Sequence, residues 1–263
     1  MPNGFEKLAE GIGKAVETVP DVYEDGLKPA TQESGKAVAL IPRAINAAFA
    51  PLRQWIAQKE YNVAETEKLL AMKLENVSPE KIVSPEAYVA IPAIQAISYS
   101  MDSEELRNLY ANLLANAMNV DTKEFVHPSF VEIIKQMSPL DAKVFELIML
   151  AEIRPLITIN IKLEDGGTNI IKEYCSWITQ FSLKQCYTSF NSLIRLGLIE
   201  IPYGKSYSLK QNYNIVEQNP LFLNCKAKSS AVLKDGQGLS FTQQYIKING
   251  FSDLFYKLCV ENG

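Results

Sequence analysis

The sequence predicts a mainly α N-terminal part followed by an α+β, winged-helix-like C-terminal part, and three observations carry that prediction. From Leu106 to Ala151 apolar residues recur at spacings of three and four, the period that gathers side chains on one face of an α-helix. Past Pro155 the text changes to ITINIKL, residues 157–163, whose β-branched residues suit a pleated surface. A helical stretch at 182–196 then stops at Gly197, and LIEIPYGKSYSLKQNYNIV follows, reading as two short strands around Tyr203, Gly204 and Lys205. Helix, strand, helix, helix and hairpin is the order of a winged helix-turn-helix over about residues 139–216. Such an architectural pattern does not by itself assign a function.

Length and charge set the frame. With 263 residues and 47% hydrophobic content, the chain has enough apolar surface for a substantial core and enough length for two domains. Residues 1–140 carry 13 Lys and Arg against 19 Asp and Glu, whereas residues 141–263 carry 13 against 11. The acidic front half is unsuited to broad nucleic-acid binding, which needs cations against phosphates. Cys175, Cys186, Cys225 and Cys259 include no CxxC pair, so free thiols are expected rather than a zinc site or redox motif. The first residues do not read as a charged-then-apolar leader, and the expectation is a cytoplasmic protein, with a peripheral membrane role open.

The division expected is residues 1–35 as an amphipathic helix and linker, 36–138 as a helical domain, and 139–263 as the winged-helix-like domain with a terminal strand and helix. Phe5, Leu8, Ile12, Val16 and Val19 share one helical face, although Gly11 and Gly13 each cost about 1 kcal/mol of helix propensity. Residues 36–56 are apolar but broken by Pro42 and Pro51 and by two arginines, which argues against a spanning helix. A buried helical hairpin is expected there, with 37–56 also the candidate for contact with a membrane surface. A charged helix is expected at 60–76. Ser78-Pro79-Glu80 and Ser84-Pro85-Glu86 then read as helix starts, and Pro92 is expected to kink or restart the apolar stretch 88–99.

Asp102 and Glu105 are expected to cap the next helix, whose apolar stripe is Leu106, Leu109, Tyr110, Leu113, Leu114 and Ala117. Its polar side bears a ridge, Asn108, Asn112 and Asn116, with Asn119 near it. That spacing stacks the amides on successive turns. The ridge is a candidate interaction surface for a partner helix or polar ligand; the plainer alternative is a half-buried hydrogen-bonding seam within the fold. Ser129 with Glu132, and Ser138 with Asp141, read as capping boxes opening two more helices. Residues 219–238 are expected to form a loop, and 239–248 a strand before a short helix carrying Phe251, Leu254, Phe255 and Leu258.

Chemistry is sparsely written. His127 is the only histidine and reads as a helix-start residue. The acids Glu104, Glu105, Glu132 and Asp141 fall where they favour helix N-termini, and no phosphate loop, nucleophile elbow or metal-binding pair occurs. The expectation is therefore a non-enzyme with no catalytic residue, metal or cofactor, acting through a protein partner or self-association. For nucleic acid, the alternative partner, Lys184, Arg195, Lys205 and Lys210 are the candidate contacts, but the helix at 182–196 is thin in cations for a groove reader.

Certain words carry a resemblance. LRNLYANLLANAMN followed by VHPSFVEIIKQMSPLDAKVF resembles the hallmark segment of the abortive-infection alpha family, and VSPEAYVAIPAIQAISYSMDSEEL resembles the run into it. SFNSLIRLGLIEI and FSDLFYKLCV are similar to the family's C-terminal portion. The resemblance implies a bacterial protein associated with phage defence, in which an infected cell stops growing or dies before progeny mature. It supplies no catalytic residues to carry over to this chain.

Overall fold

The computed structural model describes residues 60–97, 99–100 and 102–261. The expected N-terminal helix, its linker and the apolar segment 36–56 lie outside the described residues. The chain divides into two compact units, one running to Gln136 and taken up again from Lys257, the other comprising Met137–Tyr256. The helical first part followed by an α+β part is the architecture expected.

In the first unit, α1 (Glu60–Lys73), α2 (Ala87–Ile97) and α4 (Ser129–Gln136) all pack on α3 (Glu104–Ala117). Leu109, Tyr110, Leu113, Leu114 and Ala117 of the expected stripe are buried, and so are Ala111 and Ala115 on the adjoining face. Leu106, a turn nearer the start, is half-buried. Full burial of one such leucine contributes roughly 1.5–3 kcal/mol, so α3 is enclosed because its small and large apolar residues leave neighbours room on several sides.

Several helix starts differ from expectation. Ser103, in extended conformation, caps α3 in place of Asp102; its Oγ accepts from the Leu106 amide at 3.3 Å, and its hydroxyl donates to Glu105 Oε2 at 3.0 Å. Ser78-Pro79 opens only a short 3-10 turn, Pro79–Lys81, without a side-chain cap. α2 begins at Ala87, past Pro85, and continues through Pro92. A proline inside a helix costs about 3 kcal/mol, but Val89, Ala90, Ala93, Ile94 and Ile97 bury the surrounding turns, which offsets it.

The second unit contains α5 (Pro139–Leu150), β1 (Pro155–Lys162), β2 (Thr168–Cys175), α6 (Leu183–Arg195), α7 (Asn214–Glu217), α8 (Pro220–Ala231), β3 (Gly238–Tyr245) and α9 (Gly250–Phe255). A π-helical turn, Tyr256–Val260, continues α9 and carries the chain back into the first unit. The sheet is antiparallel in the order β2-β1-β3, so β1 is central and is buried from Pro155 to Asn160. Its buried polar side chains are paired across the ladder: Thr158 Oγ1 donates to Gln244 Oε1 at 2.9 Å and Asn160 Nδ2 to Thr242 Oγ1 at 3.0 Å. Ile157, Ile159 and Cys175 meet Tyr213, Val216 and Phe222 in the core behind it.

The strand pair expected around Tyr203 does not form. Residues 201–209 belong to no strand, and Glu200 makes one isolated bridge, with Lys247. Tyrosine hydroxyls serve the backbone there instead of a ladder: the Tyr207 amide donates to Tyr213 Oη at 2.9 Å, and the Arg154 amide donates to Tyr207 Oη at 3.0 Å. The hairpin of this unit, β1 with β2, precedes α6 rather than following it. The loop expected at 219–238 is also corrected, since α8 occupies most of it. Asn219 is its cap, with Oδ1 accepting from the Leu221 amide at 2.9 Å and Nδ2 donating to the carbonyls of Ser176 and Ile178.

All four cysteines are free, and Cys225 alone among them is not buried. Burial, with Cys225 nearby, pushes the Cys175 thiol up to about 12; burial likewise raises Cys186 and Cys259 above the ordinary 9.0. A raised thiol favours the fold while neutral, so this contribution is complete below about pH 9 and is lost as pH rises toward the folded value. The unfolding free energy measured in urea is expected to be flat from about pH 7 to 8.5 and then to fall by about 1.4 kcal/mol per pH unit for each titrating thiol. Cys175→Ala should shallow that fall by one thiol's share, and at pH 8 a disulfide reagent should label Cys225 well ahead of the other three.

Candidate interaction site

The polar ridge of α3 meets the end of the chain. Asn112 is buried, and its Nδ2 donates to the carbonyl of Cys259 at 2.9 Å and, longer, to that of Val260 at 3.4 Å. One turn on, Asn116 Nδ2 donates to the Leu258 carbonyl at 3.0 Å and to its own helix at the Asn112 carbonyl at 3.1 Å. The last carbonyls of a helix have no donors within it. Two amides a helical turn apart thus supply what the π-helical turn Tyr256–Val260 lacks, while Leu258 and Cys259 bury their side chains. Asn108 is half-buried, and its side-chain amide makes no hydrogen bond with another described residue.

The ridge also closes the connection out of α3. Thr122 Oγ1 donates to the Asn116 carbonyl at 2.8 Å, and Asn119 Oδ1 accepts from the Asp121 amide at 3.0 Å. Residues 81–83 run alongside: the Val83 amide donates to Met118, the Val120 amide to Lys81, and Lys81 pairs with Asp121 at 2.7 Å. That exposed pair adds little, being screened by water; the backbone bonds set the geometry.

The single histidine has a local task. His127 Nδ1 accepts from the Ser129 amide at 3.1 Å, and the Ser129 hydroxyl lies 2.7 Å from the same nitrogen. The ring therefore caps α4 in the way an asparagine would. This replaces the capping box expected between Ser129 and Glu132, whose carboxylate lies 3.8 Å from Lys135 instead. The box between Ser138 and Asp141 is present as expected. Asp141 Oδ2 does more, accepting from the Ser192 hydroxyl of α6 at 3.1 Å as well, a role that local spacing could not reveal.

The candidate nucleic-acid contacts are exposed but scattered. Lys184 and Arg195 lie near opposite ends of α6, about 16 Å apart along its axis, while Lys205 sits in a turn and Lys210 opens a 3-10 turn. Between the first two, Thr188 Oγ1 and Asn191 Nδ2 donate back to the carbonyls of Lys184 and Tyr187, so these two side chains spend donors on their own helix. Among the described residues no group of three or more His, Cys, Asp and Glu is placed to hold a metal ion, and no helix is long and apolar enough to cross a membrane.

The model of one protein family, described as abortive infection alpha, matches residues 58–259. No curated protein and no solved structure matches the chain.

Removing one amide should leave buried carbonyls without a donor, at a cost of about 1–3 kcal/mol. Asn112→Ala is therefore expected to lower unfolding stability by that amount in urea, and Asn112→Asp, which puts a carboxylate against carbonyl oxygens, by more. Asn108→Ala should change it by no more than about 0.5 kcal/mol. Equal losses at positions 108 and 112 would show that the ridge stabilises the fold by packing alone.

Proposed function

The chain belongs to the abortive infection alpha family, and from that premise we propose that it is a non-enzymatic phage-defence protein that acts by contact with another protein. The family match over most of the chain carries the reading. What supports contact rather than chemistry is the employment of the signature's polar groups: Asn112 and Asn116 hold the terminal turn, His127 caps α4, and Asp141 caps α5 and binds Ser192. None of these side chains needs a substrate to account for its position.

Expression in a sensitive bacterial host should reduce plaque formation, with growth arrest before phage release. Unchanged plaquing across a broad phage panel would overturn the defence reading. Lys184→Glu with Arg195→Glu should leave protection intact; its loss in a folded protein, together with retardation of random duplex by the parent protein at low salt, would favour action on nucleic acid instead. Dye release from liposomes by the purified chain would place the action at a membrane.

A further inference from the structure

Within the second unit a groove runs along α8, bounded on its far side by β2 and by the first turn of α6. Its apolar lining includes Ile171, Leu183 and Leu221, and its two cations are Lys172 and Lys228. No acidic side chain lines it, and no acid occurs in the sequence from Pro220 to Lys234, where three lysines fall.

The helix wall is regular. Leu221, Cys225 and Ser229 form one row at fourfold spacing and stand half-buried or buried; Asn224, Lys228 and Val232 form the next row and are exposed. Rows at that spacing are the ridges and grooves through which helices pack on one another. Over eight residues such a trough is about 12 Å long, the length of two helical turns. Small side chains at Cys225 and Ser229 let a second helix approach closely. Val232 is 68% exposed, as an apolar rim is before a partner covers it. Lys226, outside the trough, is held over the Phe241 ring at 5.3 Å, so Lys172 and Lys228 are the cations that face an occupant.

We propose that this groove docks an acidic amphipathic helix of a partner protein, with apolar side chains spaced by three and four entering the trough and carboxylates meeting Lys172 and Lys228. Charge complementarity selects this occupant: an apolar trough alone would accept any amphipathic helix, whereas two lysines without a balancing acid disfavour a basic one. The inference rests on the groove's geometry and stands whether or not the chain restricts phage.

The test uses the full chain and two labelled synthetic peptides, one with leucines at helical spacing among glutamate and alanine, the other with lysine replacing every glutamate. By fluorescence anisotropy at low salt the acidic peptide should saturate in the micromolar range, and the basic one should bind at least about tenfold more weakly. Lys172→Glu with Lys228→Glu should reverse that preference, while Lys205→Glu with Lys210→Glu, away from the groove lining, should not. Saturating acidic peptide should also slow alkylation of Cys225, with circular dichroism confirming that each variant is folded. No saturation, equal binding of both peptides, or a preference unmoved in the folded Lys172 and Lys228 variant would overturn the proposal. So would protection of Cys225 by anionic phosphatidylglycerol vesicles but not by peptide, or by raised protein concentration alone, because these identify a lipid surface or a second copy as the occupant.

Discussion

The first unit depends on carbonyl oxygens that its own terminal turn cannot satisfy. The Asn112 amide meets Cys259 across 147 residues of chain, and the Asn116 amide meets Leu258 across 142. Closing so long a loop costs conformational entropy, although that cost grows only slowly with length. An individual amide-to-carbonyl bond returns about 1 kcal/mol net. What makes these bonds matter is the alternative: a turn buried through Leu258 and Cys259 with its carbonyls stripped of water and unpaired would cost several times more. Asparagine, a mediocre helix former, is tolerated at two successive turns of α3 because its short amide reaches a neighbouring backbone where a longer side chain would overshoot.

That constraint explains what was legible in the sequence and what was not. Periodicity exposed α3 and its stripe, since Leu109, Tyr110, Leu113 and Leu114 meet partners by simple burial, and burial is what spacing reports. The ridge was visible as a pattern, but its partner was not, because a backbone carbonyl has no letter in the sequence. Asp141 shows the same limit: its box with Ser138 is local and readable, whereas Ser192 reaches it from 51 residues away.

Two misreadings have a different origin. The words SYSLKQNYNIV look like strand text because Ser206, Tyr207, Ser208 and Leu209 alternate small polar with large side chains, but the Tyr207 amide, which a ladder would have used, donates to the Tyr213 hydroxyl. In the other case the signal was present. Asn219-Pro220 is the same device of a capping side chain followed by proline that opens α5 at Ser138-Pro139. The lysines and serines after it suggested a loop, yet α8 needs little apolar surface, since Phe222 alone of its large side chains is buried.

The distribution of charge acquires a physical sense from these placements. In and beside α3, α4 and α5, the side chains of Asn112, Asn116, His127 and Asp141 are occupied by caps and backbone carbonyls and offer little for a ligand to bind without first breaking the fold. α8 differs, because its cap is met by Asn219 at one end and most of its remaining polar side chains point outward. A surface can recognise a partner only with groups that folding has left over, and in the second unit the groove beside α8 brings such groups together with apolar side chains. The net positive charge of residues 141–263 is thus better understood through where Lys172 and Lys228 stand than through its sum, since two cations beside an apolar trough select an acidic helix whereas the same charge dispersed over α6 and the following turns selects nothing in particular.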